Sequence, residues 1–309
     1  TELCRDLDVP VEVWLHDYAW FCPRVSLIGA DDRYCGEPPI EGCRRCIAEA
    51  GSRLGDGRSV DEVVADSAAL FAQADRILAP SADAAARIGA HFPGVEPQIE
   101  SWETPVEWPS EAGPRAIEPG RPFTVCIVGA IGPEKGIETL IACVRDARAR
   151  ALPLRFVVVG HTAEDERLLA AGPAFVTGPY DEDEASDLIA RQAADIALLP
   201  SIWPETWSYA LSECWRAGLT VAAFDIGAPA ERIRAAGHGL LLPLQTVPRQ
   251  INDALLAFLQ QRTASDSSRS ASGSRASPAP AEGLVRQPQS ARSMRRSPAR
   301  SGHIHDAAS

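Results

Sequence analysis

Two carboxylates eight residues apart, Glu205 and Glu213, carry the strongest chemical signal in this 309-residue chain. Glu205 follows an apolar run, Ile196–Leu199, and a Pro-Ser pair. Glu213 falls inside a segment of helical spacing that opens near Ser208. Side chains on a helix lean toward its N-terminus, so both carboxylates and the free N–H groups of the helix start are expected to converge on one spot. Such a spot suits a ligand bearing hydroxyls and phosphates together: carboxylate oxygens accept from sugar or ribose hydroxyls, and N–H groups donate to phosphate oxygens. Thr206, Trp207 and Ser208 complete the loop as expected ligand contacts. Taken alone, the same residues admit a plainer reading, a capping carboxylate and a solvated helix glutamate.

A second candidate is Gly129-Ala130-Ile131-Gly132-Pro133-Glu134-Lys135-Gly136, placed directly after an apolar strand and at the start of a helix. Glycines there let a ligand approach the backbone, the helix dipole favours an anion, and Lys135 adds a point charge. The glycine spacing fits neither a dinucleotide fingerprint nor a P-loop, and no Ser or Thr follows the lysine. A plain Gly-rich turn with a surface lysine is the alternative. Asp181-Glu182-Asp183-Glu184 resembles an Asp-x-Asp metal motif but opens a helix, where the dipole alone favours carboxylates. His161 ends a strand on the side from which a ligand would be reached, and serves equally well as a satisfied loop histidine.

Four of the eight cysteines, Cys22, Cys35, Cys43 and Cys46, form an array whose Cys43-x2-Cys46 pair has the spacing of half a structural zinc site. A structural zinc is the expectation, with disulfides and four unrelated thiols as the alternatives. Cys4, Cys126, Cys143 and Cys214 are scattered in apolar surroundings and read as core residues.

The elements that must position these groups follow from periodicity. Val11–Leu15 reads as a strand with His16-Asp17-Tyr18 at its end, and a Cys-rich loop spans 22–46. A helix is expected over Val60–Gln73, a strand over Arg76–Ala79 and a helix over Ser81–Phe92. A Pro- and Glu-rich stretch follows from Val95, with residues 109–122 as an interdomain linker. Strands are then expected at Phe123–Val128, Leu154–Val159, Ala174–Val176, Ile196–Leu199, Thr220–Phe224 and Leu240–Leu242. The intervening helices fall at Lys135–Arg148, Glu182–Ala193, Ser208–Ala217 and Pro229–Ala235. That alternation predicts a doubly wound parallel sheet, with ligands at the carboxyl ends of its strands. The segment 263–309, rich in Ser, Arg, Ala and Pro, is expected to be disordered.

With these motifs in place the chain resembles family 4, or group 1, of the GT-B glycosyltransferases over about Val11–Pro243. The resemblance rests on the Glu-x7-Glu pair after Pro200-Ser201 and on the upstream Gly…Glu134-Lys135-Gly136 turn. His16-Asp17-Tyr18, Ala79-Pro80-Ser81 and Gly227-Ala228-Pro229-Ala230-Glu231 follow in the family's order. It implies a Rossmann-like donor domain at 123–262, preceded by part of a second Rossmann-like, acceptor-side domain at 1–108. It further implies that Lys135 binds the donor diphosphate with Gly129 and Gly132, Glu205 the transferred sugar and Glu213 the ribose, with His16 facing the reacting sugar. The implied reaction is retaining transfer from a nucleotide diphosphate sugar to a glycan or lipid-linked acceptor in cell-surface polysaccharide assembly, with no catalytic cofactor. Two departures stand out: Ala130 replaces the arginine often found beside the lysine, and Glu205-Thr206-Trp207-Ser208 replaces Glu-Gly-Phe-Gly. The chain starts at Thr1, after the point where the family has a Gly-rich loop, so an N-terminal truncation is expected.

The totals are compatible with this. Hydrophobic residues make up 45%, enough for two cores, and the formal charge is −12. The segment 263–309 carries seven Arg against three Asp or Glu, so the body upstream is more acidic still and a poor nucleic-acid surface. No apolar run is long enough to span a bilayer. A cytoplasmic location, with peripheral contact at the inner membrane face, is expected. The alternatives are a non-catalytic nucleotide-sugar-binding module of a larger protein and another GT-B enzyme such as a sugar-nucleotide epimerase.

Overall fold

Period-two alternation builds the central sheet. In β4 (Phe123–Ile131), Val125 and Ile127 join one apolar cluster while Cys126 and Val128 join another, and all four are buried. The same parity holds in β5 (Leu154–Thr162), β7 (Ile196–Leu199) and β8 (Val221–Phe224), as expected for strands covered on both faces. With β6 (Ala174–Val176) and β9 (Leu240–Leu242) they form a six-stranded, all-parallel sheet in the order β6-β5-β4-β7-β8-β9. One face carries α4 (Ile137–Ala149), α5 (Asp165–Ala171) and α9 (Pro248–Gly273), and the other carries α6 (Ala185–Arg191), α7 (Tyr209–Arg216) and α8 (Gly227–Ala236). The chain therefore changes face between β4 and β7, which are neighbours, and a crevice opens there at the carboxyl ends of the strands.

The structure, a computed structural model, describes residues 4, 6–104, 106, 117 and 120–273, with side chains to residue 265. A second parallel sheet, β1 (Glu12–Trp14), β2 (Arg76–Ala79) and β3 (Gln98–Ile99), precedes the first. It is accompanied by α1 (Ile40–Ala50), α2 (Val60–Phe71) and α3 (Ala82–His91). Ser59 and Glu62 close a capping box on α2, and Ser81 caps α3 by accepting from the Ala84 N–H. Tyr18, Leu15, Ile88 and Phe92 are buried in the core beneath this sheet. Both sheets lie within one compact unit, Thr1–Arg269.

Several expected boundaries shift for physical reasons. The helix expected from Lys135 begins at Ile137, because Gly136 sits at φ 82, outside helical space. Strand β4 runs on to Ile131 because β5 continues to pair with it as far as Ile131↔Thr162. The Cys-rich segment, expected as a loop, contains α1, and β3 lies inside the Pro- and Glu-rich stretch. The disorder expected from residue 263 does not begin there. Helix α9 continues to Gly273, anchored upstream by Ile251, Leu255 and Leu259, which recur every four residues and are fully buried. Residues 274–309 lie outside the described residues, as does most of the expected linker 109–122. Among the described residues, no helix is long and apolar enough to cross a membrane.

Candidate active site

Two loops meet at the crevice, one after β4 and one after β7. The Ile202 N–H donates to the Glu134 carbonyl at 3.0 Å. Gly136 approaches Pro200 so closely that a Cβ there would stand 1.9 Å from the Pro200 carbonyl oxygen. A similar approach holds the other loop in place, since a Cβ on Gly227 would lie 2.7 Å from the Glu205 nitrogen, and the Ala228 N–H donates to the Glu205 carbonyl at 2.9 Å.

This packing brings together two of the expected site residues. Lys135 Nζ lies 2.7 Å from Glu205 Oε2, with the glutamate side chain only 5% exposed and the lysine 40%. Ser201 donates its hydroxyl to the other Glu205 oxygen. Glu205 is not the helix cap; Ser208 is, accepting from the Leu211 N–H at 3.4 Å. Gly129 (φ 113) pairs with Gly160, whose Cβ would sit 2.2 Å from the Gly129 carbonyl oxygen, so β4 and β5 approach without side chains at the rim of the crevice. Gly132 has the Glu134 carboxylate beside it, 3.6 Å from where a Cβ would stand.

Glu213 belongs to a different network. It accepts from the Ser186 hydroxyl and pairs with Arg216 on the next turn of α7. Arg216 also reaches Glu103 at 2.7 Å, and Glu103 accepts further from Trp207 Nε1 at 3.0 Å and from Ser212. Burial alone would raise the Glu103 carboxyl, but the hydrogen bonds from Ser212, Arg216 and Trp207 outweigh it and hold it below the usual carboxylate range. Arg232 stacks 4.0 Å over the Trp207 ring and donates to the Ser208 carbonyl and the Ser212 hydroxyl, at 2.8 and 2.7 Å. Its burial pushes the guanidinium down to about 10.

The side chains of Thr206, Trp207 and Ser208 are thus buried and engaged within the protein, Thr206 through its hydroxyl to the His16 carbonyl at 2.6 Å. Among the described residues no backbone carbonyl accepts from the N–H of Thr206 or Trp207. Segments that follow the strands of the three-stranded sheet grip this loop elsewhere too. Tyr18 donates its hydroxyl to the Pro204 carbonyl at 2.8 Å, and Ser81 donates to the Thr206 carbonyl at 2.9 Å. Glu231 of α8 accepts from the Ala82 and Asp83 N–H groups at the start of α3. The His16 ring lies 4.4 Å from Trp102, which stacks in turn on Tyr209. His16 also lines a cleft of about 360 Å³ with Trp14, Trp20 and Leu54.

The remaining candidates are less gathered. His161 is exposed in the register position opposite Ala130, and Asp181–Glu184 is exposed, its 3-10 turn (Glu182–Glu184) lacking a side-chain cap from Asp181. Cys22, Cys35, Cys43 and Cys46 are free, half-buried thiols, and burial pushes the Cys22 thiol up to about 11. Cys43 and Cys46 share α1, where a three-residue spacing is one helical turn. Among the described residues no three His, Cys, Asp or Glu side chains are grouped to hold a metal ion, so the expected zinc finds no ligand cluster there. Sequence reading missed Glu103 and Arg53. Each acts through partners far away in sequence, Glu103 through Ser212 and Arg216, and Arg53 through Glu134.

Comparison with known proteins follows the same outline. Residues 122–261 match the family model described as glycosyl transferases group 1. The chain is 30% identical over 241 residues to a GDP-mannose-dependent alpha-mannosyltransferase of Mycolicibacterium smegmatis, covering 74% of this chain and 60% of that protein. To the protein of the same name from Mycobacterium tuberculosis it is 31% identical over 198 residues, 61% of this chain and 49% of that one. The chain therefore spans about half to three-fifths of the length of these relatives. Among solved structures, Anabaena HepE in complex with UDP superposes with a TM-score of 0.53 at 15% identity, covering 84% of this chain and 66% of that one. An S. aureus TarM variant solved with Fondaparinux, alpha-GlcNAc-glycerol and UDP superposes at 0.50 with 14% identity, over 68% and 42% of the two chains. Residues 122–261 are thus similar to the glycosyl transferases group 1, and the chain shares its fold with HepE.

Proposed function

We propose that the protein is a retaining glycosyltransferase that moves a hexose from a nucleoside diphosphate sugar to a glycan or lipid-linked acceptor in cell-surface polysaccharide assembly. The observation that carries this is the Lys135–Glu205 pair, a cation and a buried carboxylate 2.7 Å apart at the face-switching crevice. A departing nucleoside diphosphate develops charge on its phosphates, which Lys135 and the N-terminus of α4 are placed to stabilise. Glu205, released from Lys135 as the diphosphate arrives, accepts hydrogen bonds from sugar hydroxyls, and Glu213 takes the ribose. His16, at the mouth of the Trp14–Trp20 cleft, faces the reacting sugar, and that cleft receives the acceptor. The names of the mycobacterial relatives make GDP-mannose the first donor to test. A cytoplasmic site of action, in peripheral contact with the inner membrane face, is part of this reading.

The test is calorimetric titration of the chain with GDP-mannose and UDP-glucose, followed by assay of sugar transfer. One of the two should bind, and Lys135→Ala should lower the transfer rate by roughly 10²–10³ with the fold intact. Failure of wild-type protein to bind any nucleotide sugar would remove the proposal, and binding without transfer to any acceptor would turn it into a nucleotide-sugar-binding module.

A further inference from the structure

We infer that Arg53, carried by the segment between α1 and α2, supplies a second positive charge to the diphosphate of a donor bound at the Gly132–Gly136 turn. This rests on the nucleotide-sugar reading above. A leaving diphosphate gathers more negative charge than one ammonium group can offset, and Lys135 already has Glu205 as a counterion. Among the described residues Arg53 is a further cation in contact with this turn, through an ion pair from Nη1 to Glu134 Oε1. The second oxygen of the same carboxylate stands beside Gly132, 3.6 Å from the position of an added Cβ. The ion pair thereby anchors Arg53 to the turn whose glycines let an anion approach the backbone.

Arg53 is placed by its backbone as well as by that ion pair. Its N–H donates to the Pro23 carbonyl at 2.8 Å, and the Leu54 N–H donates to the Ser52 hydroxyl at 3.1 Å. Arg24, 7% exposed, ties the same two segments together by donating to the Ile28 carbonyl at 2.6 Å and the Ala50 carbonyl at 3.2 Å. Leu54 lines the cleft that also holds His16. Among the described residues Glu134 is the sole partner of the Arg53 side chain, which is 38% exposed. The rest of its planar fork of donors remains open to two phosphate oxygens, a geometry that a lysine cannot reproduce.

A purely structural strap between the two sheets would use the same ion pair, and the test separates the two. The full chain is titrated with GDP, UDP and the matching monophosphates, as wild type, Arg53→Ala, Arg53→Lys and Glu134→Gln, each checked for an unchanged melting curve. Arg53→Ala should weaken diphosphate binding by about 10- to 100-fold and monophosphate binding by less, with Arg53→Lys between it and wild type. Glu134→Gln breaks the same ion pair but frees the guanidinium, so diphosphate binding should be unchanged or tighter. Equal diphosphate affinity in wild type and Arg53→Ala overturns the inference while leaving the donor reading intact. An equal loss in Glu134→Gln and Arg53→Ala overturns it in favour of the strap. If wild type binds neither diphosphate, the donor reading itself falls and takes the inference with it.

Discussion

Replacing Gly136 by alanine tests whether the crevice depends on the contact between its two loops. The residue sits at φ 82, where a Cβ costs roughly 1–2 kcal/mol by itself. The added carbon would also stand 1.9 Å from the Pro200 carbonyl oxygen, so it must retreat by roughly 1.5 Å to reach ordinary contact. Backbone on both sides cannot rotate out of the way, and overpacking of this kind costs about 1–3 kcal/mol more. The same retreat carries Lys135 away from Glu205, and a misplacement of about 1 Å at a reacting centre costs on the order of 100-fold in rate. Gly237→Ala is the control: φ is 63, and nothing lies within 4 Å of the added carbon, so only the conformational cost applies. Urea unfolding of both variants, with calorimetric titration of a nucleotide sugar, measures the difference. If Gly136→Ala unfolds like Gly237→Ala and binds like wild type, the reasoning from close approach is wrong.

Three further outcomes are expected. Glu205→Ala should weaken binding of a nucleotide sugar but not of the bare nucleotide, because its ligand partner is the sugar and Lys135 is left free for phosphate; calorimetry with both ligands reads the contrast. Glu213→Ala should weaken both ligands alike by about 1.5–3 kcal/mol, and unchanged nucleotide affinity would assign Glu213 to its network with Ser186 and Arg216 alone. The depressed Glu103 carboxyl contributes stability that is fully present above its ordinary value of 4.5 and is lost as pH falls through the lower folded value. Thermal unfolding should therefore show a drop below about pH 4.5 that Glu103→Gln reduces, and an identical acid profile in that variant would refute it.

The strands β6, β7 and β9 were readable to the residue because each is a short apolar run bounded by glycine, proline or polar residues. The sequence placed Lys135 and Glu205 on loops of one crevice but expected Glu205 to converge with Glu213, which packing turns instead to Ser186 and Arg216. What escaped reading depends on long-range partners. Strand β3 is two residues long and exists because β2 offers it an edge. The Ser-rich stretch 263–273 looks unable to order itself, yet it extends a helix already nucleated by Ile251, Leu255 and Leu259. The Cys43-x2-Cys46 spacing satisfied two templates, a metal half-site and one turn of helix, and periodicity alone could not choose. Thr206, Trp207 and Ser208 were placed in the right loop, but only packing reveals that their side chains turn inward to His16, Glu103 and the start of α7.

The grip on the Glu205 loop by segments of the three-stranded sheet bears on modularity. The stretch that matches the family model begins at residue 122, yet Pro204 and Thr206 are held by Tyr18, His16 and Ser81, all well before that boundary. The contacts that set the shape of this loop therefore extend beyond the stretch that matches the family model. A chimaera that transplants residues 122–261 onto a foreign partner carries Lys135 and Glu205 but leaves three hydrogen-bonding groups of their loop without acceptors or donors. Swapping such domains to change donor preference requires that the segments around Tyr18 and Ser81 travel with them, or that the new partner reproduce the same three contacts.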